Sequence, residues 1–113
     1  MRPPKLYVVV RANLPPGVQA VQGLHAFREF GALHPDADKH WFETSNHLAL
    51  LEVPDEPSLV KLVDRAAREQ VRFALFREPD RGMEATAVAL EPKAQRLCRG
   101  LRLALRGVTG VLP

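Results

Sequence analysis

Leu6-Tyr7-Val8-Val9-Val10, Asn13-Leu14-Pro15-Pro16-Gly17 and the stretch from Val18 to Leu33 are the three pieces of sequence on which the fold turns. The first is a short, apolar, β-branched run between prolines and Arg11, and it reads as a buried strand. The second is a loop, because two prolines and a glycine hold the chain out of regular structure. In the third, Ala20, Val21, Leu24, Phe27 and Gly31 recur at three- and four-residue spacing, which predicts a helix with those residues on its apolar side. Strand, tight loop and helix form the first half of an α/β unit.

The rest of the chain continues that pattern. Asp36 to Thr44 is expected to form a short second helix containing Trp41 and Phe42, and His47 to Val53 a second strand. Pro54 to Pro57 is a turn with Asp55 as N-cap, and Ser58 to Gln70 is a helix. Its apolar stripe is Leu59, Leu62, Val63, Ala66 and Ala67, while Lys61, Asp64, Arg65, Arg68 and Glu69 face water. Val71 to Phe76 and Ala85 to Leu90 are the third and fourth strands. The loop between them is too short for a helical crossover, so they should run antiparallel. Pro92 to about Gly100 is a short helix, Leu101 to Leu105 a packed tail, and residues 107–113 a frayed end. The expected architecture is one α/β domain, a mixed four-stranded sheet covered by helices in the order β-α-α-β-α-β-β-α.

Composition narrows the function. The 113 residues are 46% apolar and 26% charged, globular values with room for one core. Cys98 is the only cysteine, so neither an intrachain disulfide nor a cysteine metal pair is available. No run of about 18 apolar residues occurs and no leader pattern is present, so no membrane role and a cytoplasmic location are expected. The formal charge is +3. Lys93, Arg96, Arg99, Arg102 and Arg106 form a basic end with no acidic residue among them, on a mildly acidic body. That distribution suits a polyanion such as RNA, or is simply a solvated helix face.

At about 100° per residue, Gln22, His25 and Glu29 lie within about 60° of one another on one flank of the first helix. An amide, an imidazole and a carboxylate are thus grouped near the exit of the first strand, where open α/β sheets bind ligands. The plainer reading is that these residues satisfy backbone groups at a helix–sheet junction. His34, Asp36, Asp38 and His40 are spaced like metal ligands, but Pro35 starts a turn and acids there suit a helix N-terminus. No metal or cofactor is expected, and Trp41 and Phe42 read as packing residues.

Val9-Val10-Arg11, the loop reaching Gly17, and then Ala20, Gln22, His25 and Ala26 resemble the N-terminal signature of the type-2 peptidyl-tRNA hydrolases. The similarity runs from about Lys5 to Leu105, through a third strand ending at Arg77 and the Thr86 strand before Pro92. Two departures stand out. Pro16 and Val18 occupy places where the family carries lysines, one of them held to act in catalysis, and Arg77-Glu78-Pro79-Asp80 replaces arginine-aspartate-alanine-glycine.

The resemblance implies an esterase that releases a peptide or amino acid from tRNA, and a homodimer. The catalytic residues it implies are Gln22, His25, Thr86 and either Glu78 or Asp80, with His25 carrying a proton or holding the carboxylate. Gly17 and Gln19 would bind substrate through backbone N–H groups, and Arg11, Arg77 and Arg81 would replace lost lysine charge. Lys93, Arg96, Arg99 and Arg102 would hold tRNA or other RNA. The alternative is a module that keeps the fold without the chemistry and binds RNA, a nucleotide or a protein.

Overall fold

The computed structural model describes residues 3–106, and the expected frayed end at 107–113 lies outside them. The strands are β1 (Lys5–Arg11), β2 (His47–Val53), β3 (Phe73–Glu78), β4 (Glu84–Leu90) and β5 (Arg102–Leu103). The helices are α1 (Pro16–Leu33), α2 (Pro35–Thr44), α3 (Glu56–Arg68) and the single turn α4 (Gln95–Cys98). Short 3₁₀ turns cover Pro79–Arg81 and Pro92–Ala94.

The sheet is mixed, in the order β3-β4-β1-β2-β5. β1 runs parallel to β2 and antiparallel to β4, and β3 is antiparallel to β4, as its short loop requires. β1 is apolar throughout because both its faces are covered. Leu6, Val8 and Val10 pack on the α1 side with Ala26, Phe30 and Trp41. Tyr7 and Val9 pack on the α3 side with Leu59, Leu62, Val63 and Ala66.

α3 follows its periodicity closely. Leu59, Leu62, Val63 and Ala66 are buried, Ala67 is exposed, and the Asp55 carboxylate accepts the Ser58 N–H at 3.0 Å as the cap. Cys98 is buried beside this core, and burial pushes its thiol up to about 12, so it is inert at neutral pH.

Three expectations need correction. The sheet has five strands, because Arg102 and Leu103 of the expected tail pair with Glu52 and Leu51. A two-residue strand in a basic segment has no periodicity to announce it. Val71 and Arg72 precede β3, since Gln70 adopts a left-handed conformation (φ 57°) that ends the helical run and Val71 N–H still bonds to Ala66.

The third correction concerns α1, which buries a different face from the one its large apolar residues suggest. Gln19, Gln22, Gly23, Ala26 and Phe30 point inward, while Val21 and Leu24 are 49% and 66% exposed. The cause is close approach. A Cβ at Gly23 would lie 3.2 Å from Val10 Cγ1 and 3.3 Å from Val8 Cγ1, so small residues let the helix lie flat on the sheet. Gly23→Leu is therefore expected to destabilise the protein by about 1–3 kcal/mol through overpacking. A thermal or urea melt indistinguishable from wild type would rule this out.

Candidate active site at the Gln22–Glu78–Thr86 cluster

The site sits at the end of the sheet where β1 and β3 finish and β4 begins. Pairing passes from Phe76↔Ala87 to Arg77↔Ala85, which leaves Thr86 as the extra residue of a bulge in β4. The bulge breaks the alternation: Ala85 lies in the core under α3, whereas Ala87 joins the core under α1. Thr86, fully buried, is aimed at α1 and donates its hydroxyl proton to Gln22 Oε1 at 2.6 Å.

That bond orients the Gln22 amide. With its oxygen held by Thr86, the Nε2 group donates to Glu78 Oε1 at 2.9 Å. The other carboxylate oxygen accepts the backbone N–H of Asp80 at 3.2 Å, at the start of the 3₁₀ turn. Gly82 closes the turn at φ 64°, a left-handed value that suits glycine, and Met83 N–H returns to Glu78 O at 2.9 Å. The Gln22 amide is the main cause holding the Glu78 carboxyl below the usual carboxylate range, followed by the Asp80 N–H, with His25 and Arg81 adding to it. Glu78 is therefore a fixed, half-buried anion with acceptor capacity left on both oxygens.

His25 lies beside this cluster, exposed, with its ring stacked on Phe76 at a centroid distance of 4.5 Å and an interplanar angle of 11°. No hydrogen bond joins it to Glu78. Glu29, half-buried one turn further on, is not bonded to the cluster either. Of the two candidate acids, Glu78 is the one bound to Gln22. Asp80 contributes its N–H, and its carboxylate takes no part.

The residues expected to bind substrate divide differently. Gly17 is exposed in the first turn of α1. Gln19 is buried, and its Nε2 donates to Leu14 O at 2.7 Å and Ala12 O at 3.3 Å, so it pins the β1–α1 loop. Arg11 is also buried: Nη1 donates to Glu84 Oε1 at 2.7 Å and to Ala85 O at 3.1 Å, and Nε to Asn13 Oδ1 at 3.1 Å. Glu56, in the first turn of α3, accepts the Ala85 N–H at 2.8 Å. Arg11 thus fixes the start of β4, immediately before Thr86, and its guanidinium is engaged rather than offered to a ligand. Arg77 is exposed and braces its turn through Met83 O at 3.3 Å, while Arg81 is half-buried near Glu78.

Replacing Arg11 by Met should cost about 1–3 kcal/mol, because the Ala85 carbonyl and Asn13 lose their donor while Glu84 is partly hydrated. A melt within experimental error of wild type would refute that role. Sequence reasoning missed Phe76 and Glu84. The available signal for Phe76 was its place two residues before Glu78, which puts both on one face of a strand.

Lys93, Arg96 and Arg99 lie away from this cluster. Thr86 to Leu90 is four residues of strand, about 13 Å, and the Pro92 turn begins beyond that. Arg96 forms an ion pair with Glu69. Lys93 and Arg99 are exposed, with no carboxylate in ion-pair reach among the described residues. Arg102, on β5 opposite Glu52, lies at the edge of the sheet furthest from β3. His34 meets the Phe73 carbonyl at 2.8 Å, and Trp41 is buried with its Nε1–H on His47 O, so neither belongs to the site; Phe42, expected to pack, is 62% exposed. Among the described residues, no helix is long and apolar enough to cross a membrane.

Comparison with known proteins adds independent findings. No curated protein matches the chain. A solved structure of a protein of unknown function from Agrobacterium tumefaciens shares its fold, with a TM-score of 0.66 over 91% of this chain and 98% of that one, at 13% identity. The model of the peptidyl-tRNA hydrolase family PTH2 matches residues 4–106. With a match spanning nearly the whole domain, the chain belongs to the type-2 peptidyl-tRNA hydrolase family.

Proposed function

We propose that the protein hydrolyses the ester linking a peptide or amino acid to the terminal ribose of tRNA. The observation that carries this reading is the Thr86–Gln22–Glu78 relay, which holds one ionised carboxylate in a defined orientation at the open end of the sheet. Each oxygen of Glu78 keeps a lone pair beyond its bond to Gln22 or Asp80, and one of them accepts a hydrogen bond from the attacking water. The water oxygen bonds to the ester carbonyl carbon, and the bond from that carbon to the ribose oxygen breaks. The proton released by the water passes across Glu78 to that ribose oxygen, leaving a free peptide acid and a tRNA hydroxyl. A carboxylate with a depressed pKa is a weak base, so Glu78 acts mainly by orienting the water and holding its developing positive charge. The unpaired N–H groups of Gly17 and Val18 at the start of α1, together with Arg81, supply positive potential for the oxyanion.

Contact between the RNA backbone and the exposed Lys93 and Arg99 belongs to the same reading, as does a cytoplasmic place of work. A homodimer would cover some of the apolar side chains that Leu24 and Leu48 leave in water. The second reading, a binding module, is favoured by Pro16 and Val18, which supply no cation where the family carries lysines. Purified protein with labelled peptidyl-tRNA separates the two. Hydrolysis that is lost in Glu78→Ala, with a much smaller loss in Asp80→Ala, supports the esterase. Binding without hydrolysis supports the module.

A further inference from the structure

We propose that the outer face of His25 is a stacking platform for the terminal nucleobase of the RNA, the base carried by the esterified ribose. The inference rests on the esterase reading and assigns His25 a binding part in it. The ring lies flat on Phe76, 4.5 Å between centroids and 11° from parallel, so one face is covered, while the side chain as a whole remains exposed. Phe76 is half-buried against the core under α1, which holds the lower ring of the stack in place. An imidazole that held the carboxylate would turn a ring nitrogen toward Glu78, and no such hydrogen bond is made. The stack is nevertheless adjacent to the reacting group, because Phe76 and Glu78 are two residues apart on one face of β3, about 7 Å along the strand. In the ester substrate, the base is one ribose away from the carbonyl carbon whatever peptide is attached. A platform beside the water-orienting carboxylate therefore meets the same ring in every substrate molecule, and a third ring continues the stack.

The test uses a short single-stranded RNA whose terminal base is a fluorescent purine analogue quenched by stacking, with His25→Phe, His25→Leu and His25→Ala. Leu still covers Phe76 and so controls for simple loss of packing. Wild type and His25→Phe are expected to quench the probe, and the Leu and Ala variants are not. Affinity for the probe and 1/KM for peptidyl-tRNA should both fall about 5- to 100-fold in Leu and Ala, with kcat in His25→Phe within about threefold of wild type. Unchanged quenching and affinity in His25→Ala would overturn the platform. So would a kcat loss of about 10²-fold in all three variants with quenching and probe affinity unchanged, which would make the residue a proton carrier. A defect confined to substrates ending in an aromatic residue would also overturn it, in favour of the peptide. Quenching by a wild type that hydrolyses nothing would instead leave the platform standing and remove the esterase reading.

Discussion

Glu78→Gln should lower kcat for peptidyl-tRNA hydrolysis by about 10²- to 10⁴-fold while changing KM little, since it removes an anion that acts on water rather than on the RNA. The substitution keeps the shape of the side chain but leaves one acceptor oxygen where Gln22 and Asp80 each use a different one, so one of these two bonds is lost; both lie at the surface end of the sheet, and the fold should survive it. The pH dependence has a defined sign. In the proposed mechanism the active form is the carboxylate, and its pKa is lowered in the folded protein, first by the Gln22 amide and then by the Asp80 N–H. As pH falls, wild-type activity should therefore persist past the point where an unperturbed glutamate takes up its proton, and be lost only at lower pH. By the same linkage, any stability Glu78 contributes is present above its unfolded pKa and disappears as pH falls through the lower folded value. A rate profile that loses activity above pH 5 through one carboxyl, abolished in Glu78→Gln, would show that the carboxyl is raised and the hydrogen-bond account wrong.

Thr86→Val should be the second most damaging change, although the side chain is fully buried behind Gln22. Valine fills nearly the same volume but leaves Gln22 Oε1 buried without a donor, at a cost of about 1–3 kcal/mol. The amide then gains freedom to rotate its oxygen away, and Glu78 loses the donor that fixes it. Hydrolysis should fall about tenfold or more, with Thr86→Ser retaining most of the activity because it keeps the hydroxyl. If Val and Ser behave alike in both melting and hydrolysis, the hydroxyl has no part in positioning Gln22.

The comparison of sequence with structure divides along physical lines. Strands such as Tyr7–Val10 and the helix Leu59–Ala66 were legible because burial there is carried by apolar side chains at fixed spacing. The inward face of α1 was not, because two of its five buried residues are glutamines, Gln19 bonded to carbonyls of the preceding loop and Gln22 to Thr86 and Glu78 far along the chain, and one is a glycine. Periodicity counts apolar groups and cannot see a buried amide. The grouping of Gln22 and His25 on one flank was legible from the helical angle alone. Their different environments were not, since these depend on the β4 bulge and on Phe76. Arg11 read as a free cation at a strand exit, but Glu84, the partner that occupies it, lies 73 residues away. Glu78 and Asp80 could not be separated by spacing, because the choice rests on which carboxylate the turn points toward Gln22.

Whether the Thr86–Gln22–Glu78 cluster cleaves the ester is decided by single-turnover release of labelled peptide from peptidyl-tRNA with enzyme in excess. Release by wild type is expected far above the buffer rate at neutral pH, falling toward it in Glu78→Gln while RNA affinity is unchanged. Wild-type release no faster than buffer, in a protein that still binds the RNA, would contradict cleavage by the cluster and leave a binding module built on a hydrolase fold.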